Sequence, residues 1–194
     1  MSSSIVTTLG IDLAAQPANT VACQIRWAGG IPKIEPVSLA CDDQMLDALI
    51  ADSDIVAIDA PFGWPRPFIE AIGSWKQEVW DNSFSATMRL RQTDLWVWKQ
   101  IGKLPLSVST DRIALPTMRA MCLFRRHGVD KKSGDGKFFE VYPTGSLIVW
   151  GASAKGYKGK EQEGLKRRKE IRKILQDGVG SVSEEYAESD DADN

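Results

Sequence analysis

A chain of 194 residues with 43% hydrophobic, 26% charged and 8% aromatic residues has the make-up of a globular domain and not of a disordered one. At this length about 70% of the unfolded surface can be buried, so a core forms without disulfide or metal staples. No stretch approaches the roughly 18 apolar residues of a membrane span, and the polar, uncharged opening Met1 to Thr8 is unlike a secretory signal, so a cytoplasmic protein is expected.

In chain order, Ser4 to Ala14 is apolar and β-branched, and it carries one acid, Asp12, in an otherwise buried-looking strand. Asn19 to Ala28 and Lys33 to Leu39 predict two more strands joined by the Gly29-Gly30 turn, an antiparallel meander. Asp42 to Ala51 places Met45, Leu46, Leu49 and Ile50 at helical spacing behind leading acids, which predicts a short amphipathic helix. Asp54 to Asp59 is a second buried strand that stops at an acid, so the opening reads β-β-β-α-β. Pro61 to Gly136 is a tryptophan-rich insert, broken at Pro65, Pro67, Pro105 and Pro116, with a helix expected from Leu115 to His127. Lys137 to Tyr142 alternates and predicts another strand, with Glu140 in it and Pro143 closing it.

From Lys155 to Lys173 nine bases face three acids, and Glu161 to Gln176 has the spacing of a basic amphipathic helix. Ser181 to Asn194 then holds six acids and no base. The expected organisation is one domain over residues 1–176, with its insert at about 61–136, and a flexible acidic tail over 177–194.

Cys23, Cys41 and Cys122 are too few and too widely spaced for a disulfide framework or a zinc knuckle. His127 is the only histidine, which removes histidine-ligated zinc chemistry, and its place after Arg125 and Arg126 suits a helix C-terminus rather than catalysis. What remains is oxygen chemistry. Asp12, Asp59 and Glu140 each lie in or at the end of an apolar strand, where an ionised carboxylate is costly unless a positive charge compensates it. Together they point to one hard-cation site for Mg²⁺ or Mn²⁺, suited to phosphodiester hydrolysis. Acids at strand ends also serve simply to cap a helix or face solvent.

The strings GIDLA (Gly10 to Ala14), IDAPFGWP (Ile58 to Pro65), RQTD (Arg91 to Asp94) and EVYPTGSL (Glu140 to Leu147), in that order, resemble the motifs of a family of predicted RNase H-like nucleases catalogued as domain of unknown function family 429. The similarity spans about Ile5 to Leu175. It implies an α/β, ribonuclease H-like mixed sheet flanked by helices, with Asp12 matching the leading metal-binding acid on the first strand. Asp59 matches a second acid on the neighbouring strand and Glu140 a third. Family members run on into a last helix with an Asp-Ala pair amid apolar residues, which SDDADN does not match. Either Asp190, Asp191 or Asp193 substitutes, or the chain is a shortened form with an incomplete site, which is the reading preferred.

Arg91 and Asp94 have two readings: phosphate binding by the arginine with Asp94 orienting it, or an ion pair anchoring the insert to the sheet. Lys158, between glycines, is a further phosphate-binding candidate. Most of the tryptophans are expected in the core, with base stacking as the alternative. The expected function is a metal-dependent nuclease acting on nucleic acid. The alternatives are a non-catalytic module that binds nucleic acid or protein, and an actin-like ATPase or kinase relative, which would need glycine-rich phosphate loops that this sequence lacks. A homodimer is expected from sheet edges left open by the missing last helix.

Overall fold

A computed structural model of the chain describes residues 5–29, 31–74, 82–157, 159 and 161–179. Among these residues five strands form one mixed sheet: β1 (Val6–Asp12), β2 (Val21–Ala28), β3 (Ile31–Ile34), β4 (Ile55–Ile58) and β5 (Phe138–Glu140), in the order β3-β2-β1-β4-β5. β1 is central. It pairs antiparallel with β2, which pairs antiparallel with β3, and parallel with β4, which pairs parallel with β5. The expected meander and β-β-β-α-β opening are therefore present. The third strand is earlier and shorter than expected: the ladder with β2 ends where the Glu35 N–H donates to the Gln24 carbonyl at 2.9 Å, and strand pairing recurs beyond it as an isolated Ala22–Ser38 bridge.

Seven α-helices are described: α1 (Asp43–Ala51), α2 (Arg66–Ser74), α3 (Asn82–Arg89), α4 (Gln92–Ile101), α5 (Ala114–Arg126), α6 (Pro143–Val149) and α7 (Gln162–Val179). α1 starts where its sequence signal lies, with Asp42 as N-cap accepting the Met45 N–H at 2.8 Å. Pro143 does not merely close β5; it is a first-turn residue of α6, where its missing N–H costs nothing. α7 runs to Val179, past Gln176. Asp177 to Val179, the start of the expected flexible tail, are therefore helical, and the rest of that tail lies outside the described residues. No described helix is long and apolar enough to cross a membrane.

Side chains alternate across the strands, and one face carries Leu9, Ile11, Val56, Ile58 and Phe138, all buried. Leu46 and Ile50 of α1 and Ala120, Leu123 and Phe124 of α5 complete this core. Phe124 sits edge-on to both Phe62 and Phe138, at centroid distances of 4.6 and 5.2 Å. On the opposite face Val6, Ile55 and Phe139 remain exposed. Among the described residues the expected tryptophan core is not found. Trp96 is 64% and Trp98 49% exposed, Trp150 is exposed and Trp64 half-buried, while Trp75 and Trp80 lie outside the described residues. α4 has one buried side chain, Asp94, so its packing is built on a charge rather than on its aromatics.

Candidate active site

The three strand-end acids are placed by register. The Asp59 N–H donates to the Ile11 carbonyl at 2.9 Å and the Val141 N–H to the Ile58 carbonyl at 3.0 Å. Ile11 lies level with Ile58, and Ile58 with Glu140. Asp12 and Asp59 are thus neighbours at one level of a parallel ladder, and alternation sends both away from the Ile11–Ile58 face. Glu140 is one residue out of step and leaves the sheet on the other side.

A cavity of about 460 Å³ opens at these strand ends. It is lined by Asp12, Asp59 and Glu140, by Arg91, Thr93 and Asp94 at the start of α4, by Arg112, and by Tyr142 and Thr144 at the start of α6; Leu13, Val97, Leu106, Ile113 and Val141 are among its apolar walls. Among the described residues its charged lining is four carboxylates against two guanidiniums, a balance of two negative charges. The Asp12 carboxylate is exposed, with no hydrogen bond or ion pair among the described residues.

Arg91 occupies the centre of the remaining charges. Its Nε and Nη2 donate to Asp94 at 3.1 and 2.7 Å, and its Nη1 and Nη2 donate to Glu140 at 2.8 and 2.6 Å. Asp94, 2% exposed, also accepts the Arg91 backbone N–H at 2.8 Å, closing a capping box on α4. Glu140 further accepts the Phe62 N–H at 2.8 Å. Burial disfavours the Arg91 charge, but the hydrogen bonds and fields of Glu140 and Asp94 outweigh it and raise its pKa above the ordinary value. The ion pair of the second reading of Arg91 and Asp94 is formed, and through Glu140 it ties the insert to β5.

Glu140 is thus held by Arg91 and does not share a carboxylate set with Asp12 and Asp59. Among the described residues no group of three or more His, Cys, Asp or Glu side chains is arranged to hold a metal ion. The two level aspartates are the oxygen donors that come together. Burial raises the pKa of the nearby Tyr142 phenol; a hydrogen bond with Thr144 works against this, and the Asp59 carboxylate adds to it.

The loop that follows Asp12 is fixed from two sides. Thr20, with no exposed surface, accepts the Ala14 N–H through Oγ1 at 3.2 Å and donates to the Gln16 carbonyl at 3.1 Å. Arg119 of α5 donates to the Ala14 carbonyl at 2.9 Å, to Thr20 Oγ1 at 2.6 Å, to the Cys41 carbonyl at 3.0 Å and to Asp43 at 2.8 Å. Arg112, Arg119, Thr20 and Tyr142 were not singled out by sequence reasoning. Only Tyr142 carried a signal, as part of EVYP. Lys158, Asp190, Asp191 and Asp193 lie outside the described residues. In α7, Arg167 and Arg168 are spent on the preceding loop, bonding Lys155, Tyr157 and Gly159 carbonyls, while Lys166, Lys169 and Lys173 are exposed.

A family described as "Protein of unknown function (DUF429)" matches residues 10–193, so the likeness runs on past Leu175 through the acidic segment. No curated protein and no solved structure matches the chain.

Proposed function

The chain belongs to the DUF429 family, whose description assigns no activity, and from its own site we propose a divalent-cation-dependent phosphodiesterase acting on nucleic acid, with Asp12 and Asp59 as the ligands of Mg²⁺ or Mn²⁺. The observation that carries this is their common level at the ends of two parallel strands, both opening into one cavity of negative balance. Two carboxylates fit Mg²⁺, which takes one or two of them and leaves its other positions to water and phosphate oxygens. Such an ion supplies Lewis acidity toward a phosphoryl oxygen.

The chain's own groups do the rest. Arg112 offers a second positive charge to a phosphate at the cavity wall, and Thr93 and Thr144 are hydroxyl donors on the same lining. Tyr142, with its raised pKa, stays protonated at neutral pH and is a donor as well. The apolar walls lower the local dielectric and strengthen these contacts. We read the fold as ribonuclease H-like, a reading supported by the central first strand carrying the leading acid beside a parallel neighbour carrying the second.

The test is thermal unfolding with and without Mg²⁺ or Mn²⁺. Metal should raise the melting temperature of the wild type, and Asp12→Asn or Asp59→Asn should abolish the rise. Glu140→Gln should keep it, since Glu140 is held by Arg91. A wild type indifferent to both metals overturns the reading. One observation favours a non-catalytic module instead: the third acid is already neutralised by Arg91. That reading expects oligonucleotide binding with no metal-stimulated cleavage.

A further inference from the structure

A second, smaller cavity of about 230 Å³ lies on the far side of the Arg91–Glu140 pair and shares Arg91, Thr93 and Glu140 with the first. Its charge has the opposite sign. Among the described residues of its lining, Arg66, Arg91 and Lys132 stand against Glu140, a balance of two positive charges against the two negative ones next door. We propose that this cavity binds one unpaired nucleotide of a single-stranded nucleic acid, its phosphate on Lys132 and Arg66 and its base on Trp64, next to the nucleotide seated at Asp12 and Asp59.

Lys132 is seated there by the backbone of Gly63. Gly63 has φ +148°, a conformation that L side chains rarely adopt, and a Cβ built on it would lie 2.9 Å from Lys132 Nζ, 3.1 Å from Cε and 3.2 Å from Cδ. The lysine stem therefore lies across the bare Cα of the glycine, with the ammonium at the cavity. Lys132 makes no hydrogen bond or ion pair among the described residues, so its charge is not spent on any of them. Arg66 is paired with Glu70 at 2.9 Å, an exposed contact that costs little to exchange for a phosphate.

Trp64 lines the same cavity and is half-buried, which holds its ring while leaving surface for a base. A base inside a duplex cannot stack on a side chain without leaving its pair, so an aromatic wall beside cations selects unpaired strands. The volume supports a unit of a chain rather than a whole free ligand, for which pockets are usually at least about 300 Å³. Polarity then runs along one path, from a cation site to an anion site, through the shared Arg91–Glu140 pair.

This subsite rests on the phosphodiesterase reading for its place in a substrate path, but its test needs no metal. Fluorescein-labelled oligothymidylate, alone or annealed to oligoadenylate, is titrated with the full chain in EDTA and followed by anisotropy. The single strand should bind more tightly than the duplex. Lys132→Glu and Trp64→Leu should each weaken single-strand binding about tenfold or more. Lys132→Ala, with its milder change at an exposed position, should weaken it less but measurably, and Lys132→Glu should keep the metal-dependent melting shift. Equal or tighter binding of the duplex, or unchanged binding by both Lys132 variants, overturns the subsite. Metal indifference of the wild type together with Lys132-sensitive binding would instead remove the phosphodiesterase and leave the subsite standing.

Discussion

Arg91 and Glu140 form a two-pronged ion pair, Nη1 on Oε2 at 2.8 Å and Nη2 on Oε1 at 2.6 Å, across 49 residues of chain. The same guanidinium neutralises Asp94, so one cation serves two carboxylates, one of them almost wholly buried. The arrangement fixes α4 and the end of β5 against each other at the edge of the cavity.

Removing the cation should be far more damaging than removing the acid. Arg91→Met leaves Asp94 charged and buried with only the backbone N–H of residue 91 as a partner, and breaking a buried pair from one side typically costs about 3–5 kcal/mol. Glu140→Gln keeps an oxygen for the Phe62 N–H and leaves Arg91 paired with Asp94, so about 1–2 kcal/mol is expected. Urea unfolding of both variants checks the order. Equal losses would mean that Asp94 finds another partner when Arg91 is gone.

Arg119 should act on the site without touching it. Its four contacts hold the Ala14 carbonyl, Thr20, the Cys41 carbonyl and Asp43 together, beneath the loop that leaves Asp12. Arg119→Met removes the charged donor from the part-buried Ala14 and Cys41 carbonyls and breaks the pair with Asp43, an expected loss of about 2–4 kcal/mol. Arg119→Lys should recover little of it, because an ammonium cannot reproduce a planar fork serving acceptors on separate segments. Hydrogen exchange adds a local readout: the Ala14 amide, which donates to Thr20, should lose protection in both variants. Full rescue by lysine would reduce the role of Arg119 to charge.

What was legible in the sequence follows from which signals are local. α1 was readable because apolar spacing and the Asp42 cap both lie within ten residues, and β1 and β4 because β-branched runs need a buried sheet. That Asp12 and Asp59 end neighbouring strands was implied by the family resemblance. That Glu140 is one step out of register was not legible, since register between parallel strands is set by the packing of the whole crossover. The tryptophans misled because area alone argues for burial, whereas α4 is held by the Arg91–Asp94 capping box and leaves Trp96 and Trp98 outside. Pro143 could have been read either way, as the end of a strand or the first turn of a helix, and only β5 stopping at Glu140 decides it.

The junction of α1 and α5 should set part of the acid sensitivity of the fold. Asp47 accepts Arg126 Nε at 2.8 Å and lies 2.9 Å from His127 Nε2. Burial works to raise its pKa, but the hydrogen bonds and charges of Arg126 and His127 prevail and hold it below the ordinary carboxylate range. A carboxyl whose folded pKa is depressed favours the native state most where it is ionised in both states. Its contribution is therefore complete above the unfolded value of about 4 and falls away as pH drops through the folded value. Asp47→Asn should flatten the stability profile below about pH 4 and lower stability at neutral pH, where the ion pair is lost. Denaturant midpoints measured from pH 7 down to pH 3 for the two proteins give the comparison. Parallel curves over that range would show that Asp47 has the same pKa folded and unfolded, and that Arg126 and His127 do no more than pack there.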